Sequence, residues 1–125
     1  MIEKISTDKA PKAIGPYSQA IKAGNMIYTS GQLAIDPETG EMIGNDIASQ
    51  AEQAMKNLQE VLKAGGADFD SVVKTTCFLA DIADFASFNE VYSKYIKSAP
   101  ARSCIAVKDL PKKALVEVEA VAVIE

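Results

Sequence analysis

The residues best suited to chemistry lie in the last quarter of the chain. Glu117 and Glu119 interrupt an otherwise apolar run from Leu115 to Ile124. Carboxylates in such a run cost desolvation free energy unless they are paired. Either both face solvent near a sheet edge, or one faces a cation or ligand in a partly buried cleft. Arg102 opens the preceding apolar segment, directly after Ala99-Pro100-Ala101. Its planar fork suits a carboxylate held through two parallel hydrogen bonds. A structural ion pair with Glu117 or Glu119 is the plainer alternative, and the long connection leaves the register open. Strand alternation puts Arg102, Cys104 and Ala106 on one face, and Ser103, Ile105 and Val107 on the other. A Cys104 thiolate would need Arg102 to lower its pKa, whereas a small buried apolar residue is the simpler role. Tyr17 follows Gly15-Pro16 in a loop, where a phenol can reach a ligand. Ser30-Gly31 breaks an extended run and lets backbone N–H groups face outward. Together these residues could bind a small carboxylic acid.

The composition narrows the mechanisms. The 125 residues include no His, which excludes a Ser-His-Asp triad, a Cys-His dyad and a His-ligated metal. Net charge is −4, so the basic footprint of a nucleic-acid binder is missing. The one dense cationic cluster is Lys108, Lys112 and Lys113. No apolar run approaches the roughly 18–20 residues that span a bilayer. Met1 to Pro11 carries charges throughout, so no signal peptide is read. The spacing of Cys77 and Cys104 matches no metal motif. A reduced, cytoplasmic protein is the expectation.

The elements that must position these residues follow from pattern. Ile2 to Ser6 reads as a short strand. Pro11 to Ser18 holds two Pro and a Gly and reads as a loop. Gln19 to Ala23 and Met26 to Thr29 flank Gly24-Asn25, a two-residue hairpin signal. Gln32 to Ile35 resumes an extended pattern, and Asp36-Pro37-Glu38-Thr39-Gly40 is a turn. Asp46 to Ala64 carries apolar residues at three- and four-residue steps and predicts a helix. Asn45 or Asp46 can cap it, and Gly65-Gly66 can end it. Val72 to Leu79 reads as a strand, with Cys77 in the core. Phe85 to Tyr95 predicts a second helix that Pro100 prevents from continuing. Arg102 to Val107 and Leu115 to Ile124 are the last strands.

The order is β-β-β-α-β-α-β-β, with 1–125 as a single domain. Each strand–helix–strand unit argues for a right-handed crossover between parallel strands. One mixed sheet with both helices on one face is the economical α+β architecture. In the last strand Val116, Val118, Ala120, Ala122 and Ile124 share one face, and Leu115, Glu117, Glu119, Val121 and Val123 the other. The second face is thus apolar apart from its glutamates. On so short a chain this predicts a covering copy of the same chain.

Three segments resemble the RidA/YjgF family of reactive-intermediate deaminases. They are Ala13-Ile14-Gly15-Pro16-Tyr17-Ser18-Gln19-Ala20, Thr29-Ser30-Gly31-Gln32, and the run from Pro100-Ala101-Arg102-Ser103-Cys104 through Leu110-Pro111 to Val116-Glu117-Val118-Glu119-Ala120. Asn57-Leu58, Val73-Lys74-Thr75-Thr76 and Phe88-Asn89-Glu90-Val91-Tyr92 are similar too. The resemblance implies a chorismate-mutase-like fold, assembled as a homotrimer with active sites between subunits. It implies 2-iminobutanoate/2-iminopropanoate deaminase activity, hydrolysing imines or their enamine tautomers to 2-oxo acids and ammonia. It implies that Arg102 holds the substrate carboxylate. Glu117 would move protons and orient water, and the Cys104 backbone would help to place the water or the imine nitrogen. Tyr17, Ser30, Gly31 and Asn89 would line the pocket. Neither a metal nor an organic cofactor is implied, and neither a nucleic-acid nor a membrane partner is expected. The alternative is a non-enzymatic small-acid-binding regulatory or chaperone-like protein on the same scaffold. The segment from Tyr92 to Arg102 is shorter than is common in the family and borders the expected site.

Overall fold

The computed structural model describes residues 1–125. Its strands are β1 (Ile2–Ile5), β2 (Ala20–Ala23), β3 (Met26–Thr29), β4 (Val72–Leu79), β5 (Ala101–Ala106) and β6 (Val116–Val123). Its long helices are α1 (Ile47–Ala64) and α2 (Phe85–Tyr95). The strands form one sheet in the order β1-β2-β3-β6-β4-β5. Only β4 and β5 pair in parallel, and every other pairing is antiparallel. This is the expected mixed α+β sheet, with a topology that local pattern did not give. The last strand inserts between β3 and β4, so the β3–α1–β4 crossover spans a strand that arrives later in the chain.

Local chemistry explains the elements. Asp46 caps α1 by accepting a hydrogen bond from the Ser49 N–H at 2.8 Å. That bond also holds the Asp46 carboxyl below its ordinary pKa. At the other end Gly66, not Gly65, takes the left-handed turn, with φ of 90°. Gly65 instead lies against the side chains of Ile5 and Ile27, where a Cβ would stand 2.7 Å from each Cδ1. In the first hairpin only Gly24 has positive φ, at 62°. One predicted strand is corrected. Gln32 to Ile35 makes only isolated bridges, Gln32 to Val118 and Ile35 to Met42. The Asp36–Gly40 turn brings Met42 back opposite Ile35, and that pairing stops at a single bridge.

A single cluster of 24 buried residues fills the space between sheet and helices. Along β6, Val116, Val118, Ala120 and Ala122 are buried, while their alternate neighbours are half-buried. Val118 opposes Cys77, which in turn opposes Cys104 in β5. The face away from the helices stays open, with Ile105 at 49% and Tyr28 at 47% exposure. No helix is long and apolar enough to cross a membrane.

Candidate functional site

Register decides where the chemistry-bearing side chains go. Arg102 opposes Thr75, which opposes the buried Ala120, so Arg102 rises on the helix face. Glu117 opposes Phe78, and Glu119 opposes Thr76, both on the open face. The two groups are therefore not ion-paired neighbours. β5 and β6 do not touch, since β4 lies between them.

On the open face, Glu117 lies beside the Ser30–Gly31 break. Gln32 and Val118 exchange two backbone hydrogen bonds of 2.8 and 3.1 Å, which draws this break alongside β6. The Glu117 carboxylate then occupies the space a Gly31 side chain would need, and a Cβ there would lie 2.8 Å from Glu117 Cγ. Ser30 does not point at the carboxylate: its hydroxyl donates to the Ser18 carbonyl at 2.6 Å. Thr29 Oγ1 accepts from the Ala120 N–H at 3.0 Å. Burial raises the Glu117 pKa above its ordinary value, and the charge of Glu119 raises it further. A cavity of about 640 Å³ opens here, walled by Tyr17, Ile14, Leu33, Pro111, Lys112 and both glutamates among others. Tyr17 stands at its rim, 52% exposed, with its hydroxyl accepting from the Ile14 N–H at 3.3 Å.

On the helix face, Arg102 lines a second cavity of about 330 Å³ with Asn89, Tyr92, Ile96, Lys97 and Pro100. Arg102 Nη1 donates to Asn89 Oδ1 at 2.7 Å. Its guanidinium carbon lies 4.8 Å from the Tyr92 ring centroid and 5.6 Å from that of Phe85. The Tyr92 hydroxyl shares a 2.8 Å hydrogen bond with Thr75 Oγ1 in the core. Cys104 and Cys77 face each other in adjacent strands as free thiols. Burial pushes the Cys104 thiol up, against the opposing pull of Arg102. Burial likewise pushes Cys77 up to about 12. Both are held protonated at neutral pH, so a nucleophilic thiolate has no support here.

The predicted residues thus form two groups. Tyr17, Gly31 and Glu117 line one cavity, with Ser30 bracing its wall. Asn89 and Arg102 line the other, with Cys104 two residues along the same strand face. Pattern reading missed the supports. Phe85 and Tyr92 read only as members of the second predicted helix and its family-like segment, although Phe85, Asn89 and Tyr92 at i, i+4 and i+7 share one stripe of α2. The bracing roles of three buried amides also had no sequence signal. Gln19 holds the Thr7 and Pro11 carbonyls at 3.1 and 2.7 Å. Asn57 holds those of Leu33 and Ile35 at 2.9 and 2.8 Å. Gln50 accepts from the Leu115 N–H at 2.8 Å. Each fastens a loop that borders the Glu117 cavity or leads into β6. No cluster of His, Cys, Asp or Glu is arranged to hold a metal ion.

Comparison with known proteins gives a consistent answer. The family model described as Endoribonuclease L-PSP matches residues 7–124. A human protein named 2-iminobutanoate/2-iminopropanoate deaminase is 53% identical over 120 residues, covering 95% of this chain and 88% of its own. The chloroplastic Reactive Intermediate Deaminase A of Arabidopsis thaliana is also 53% identical, over 96% of this chain and 65% of its own length. The crystal structure of E. coli TdcF with bound serine superposes with a TM-score of 0.94 at 39% identity, covering 98% of this chain and 99% of that one. RidA from Psychrobacter sp. PAMC 21119 superposes equally well, with a TM-score of 0.94 at 44% identity over 98% and 99%. Sequence and backbone agree along almost the whole chain, and this protein belongs to the Endoribonuclease L-PSP family, the RidA/YjgF proteins.

Proposed function

We propose that this chain, as one domain, is a 2-iminobutanoate/2-iminopropanoate deaminase, working as a homotrimer with its active sites between subunits. The observation that carries the activity is the Glu117 carboxylate, half-buried and lodged against Gly31 in the lining of a cavity. A base with a raised pKa is a better proton acceptor at neutral pH. The names of relatives at 53% identity support the same reading.

In this reaction Arg102 binds the substrate carboxylate, its fork positioned by Asn89. Glu117 accepts a proton from water as the water oxygen bonds to the imine carbon. The imine nitrogen is protonated, so the C=N electron pair moves to nitrogen and gives a neutral carbinolamine. The Glu117 proton then goes to the amine, the carbinolamine hydroxyl returns its proton to Glu117 as the C–N bond breaks, and ammonia leaves with a 2-oxo acid. An imine carbon is already electrophilic, so orientation and proton transfer suffice. The Cys104 backbone and Tyr17 border the substrate.

The placement of the two groups supports this assembly. Arg102 and Glu117 rise from opposite faces of one sheet. A small acid meets both when the Arg102 cavity of one copy docks beside the Glu117 cavity of another. The exposed Ile105 and Tyr28 on the open face supply apolar area for that contact. Closed homo-oligomers are the common solution for such a face. The two free thiols support a reducing compartment such as the cytoplasm. The net charge of −4 favours a small-acid substrate over RNA.

The test measures ammonia release from freshly generated 2-iminobutanoate above the spontaneous rate. Acceleration is expected, and Arg102→Ala should lower it about 10²-fold, since hydrogen bonds to a charged group contribute about 1.5–3 kcal/mol each. An unchanged spontaneous rate with saturable 2-oxobutanoate binding would instead establish the non-enzymatic small-acid binder.

A further inference from the structure

We infer that Phe85 and Tyr92 are positioning residues for the reaction, an aromatic bracket that sets the Arg102 guanidinium before any substrate arrives. The inference rests on the proposed deaminase reading and adds to it the source of carboxylate affinity. Arg102 sits on β5, the edge strand of the sheet, where a long side chain has many rotamers open to it. Three contacts from one helix stripe remove that freedom. Asn89 Oδ1 takes one N–H of the fork at 2.7 Å. Tyr92 and Phe85 place their rings 4.8 and 5.6 Å from the guanidinium carbon, within cation–π range.

The bracket is itself anchored. Tyr92 is only 8% exposed, and its hydroxyl bonds Thr75, the residue that pairs with Arg102 across β4 and β5. The ring is therefore fixed relative to the strand that carries the guanidinium. Phe85 is 36% exposed and has no such anchor. At this exposed position it brings a second aromatic ring within cation–π range of the guanidinium. An Arg held in place loses less entropy on binding a carboxylate. The bracket acts on ground state and transition state alike, because the carboxylate is bound in both. Its loss should raise KM and leave kcat unchanged.

The experiment measures 2-oxobutanoate binding by calorimetry and imine hydrolysis kinetics for wild type, Phe85→Leu, Phe85→Tyr and the double variant Phe85→Leu/Tyr92→Leu. Phe85→Leu should raise Kd and KM about threefold, and the double variant about tenfold, with kcat held. Phe85→Tyr restores a ring and should restore affinity. The exposure of Phe85 keeps its single variants folded, which far-UV circular dichroism checks. Unchanged Kd in Phe85→Leu would overturn the inference, and so would a fall in kcat at constant KM. If wild type binds 2-oxobutanoate but fails to hydrolyse the imine, the deaminase reading falls. The Kd comparison then still decides the bracket.

Discussion

The two faces of the sheet hold their charged groups by different means. On the helix face, Arg102 is gripped by side chains: Asn89 at 2.7 Å and the rings of Tyr92 and Phe85. On the open face, Glu117 is placed by backbone, through the Gln32–Val118 bridge and the missing side chain of Gly31. A cation needs a shaped, electron-rich surround, which side chains supply. A carboxylate in the proposed proton-transfer role needs partial desolvation, which the bare backbone at Gly31 and walls such as Ile14, Leu33 and Pro111 supply. The contrast predicts that damage to the first face appears mainly in KM and damage to the second mainly in kcat.

The strongest test of that contrast is Glu117→Gln, which keeps shape and removes the base. It should lower kcat about 10²–10⁴-fold with KM within a factor of a few. A KM effect of that size with normal kcat would break the contrast. Next is Gly31→Ala. The added Cβ overlaps the Glu117 carboxylate and must displace it, so kcat should fall up to about 10²-fold. Thermal melting checks that the fold survives, and a wild-type kcat would show that the close approach does not matter.

A pair of apolar variants compares the faces as surfaces. Leu79 is fully buried toward the helices, so Leu79→Ala should cost about 2–5 kcal/mol in denaturant unfolding. Ile105→Asp on the open face should instead lower the oligomer mass in light scattering and abolish turnover, since the helix-side core is untouched. Retained mass and activity would show that the open face is not covered by a second copy.

The smallest expected effect is in pH. Burial raises the Glu117 pKa, and the Glu119 charge adds to it. The sign follows: a raised carboxyl pKa stabilises the fold below the ordinary Glu value and loses that contribution as pH rises through the folded pKa. The acidic limb of kcat/KM should therefore lie above the ordinary Glu range. Glu119→Gln should move it to lower pH. A limb that does not move would separate the two carboxylates electrically.

Particular residues show how far pattern reading reached. The alternation of β6 was legible because its period of two survives any tertiary context. So was the Asp46 cap, whose partner is three residues away. The Arg102–Glu117 relation was not, because it depends on β4 inserting between their strands, and pairing partners far apart in sequence leave no local signal. Family resemblance singled out Asn89 as a candidate, but its bond to Arg102 was not legible. Nor were the amides of Gln19, Gln50 and Asn57, whose carbonyl and N–H partners lie on distant loops. An Asn or Gln in a helix or loop looks the same whether it meets water or a buried backbone group.

Sequence alone determined the available chemistry: no His, two thiols, an Arg and a pair of glutamates at fixed strand phases. It also determined which side chains share a face within each strand, because that follows from backbone geometry over a few residues. Tertiary structure decided which faces carry the Arg and the Glu. It placed a thiol pair where burial keeps it protonated, and it set a glycine where a carboxylate needed room. These are properties of non-local packing, and they arise only when strands distant in sequence settle their order in the sheet.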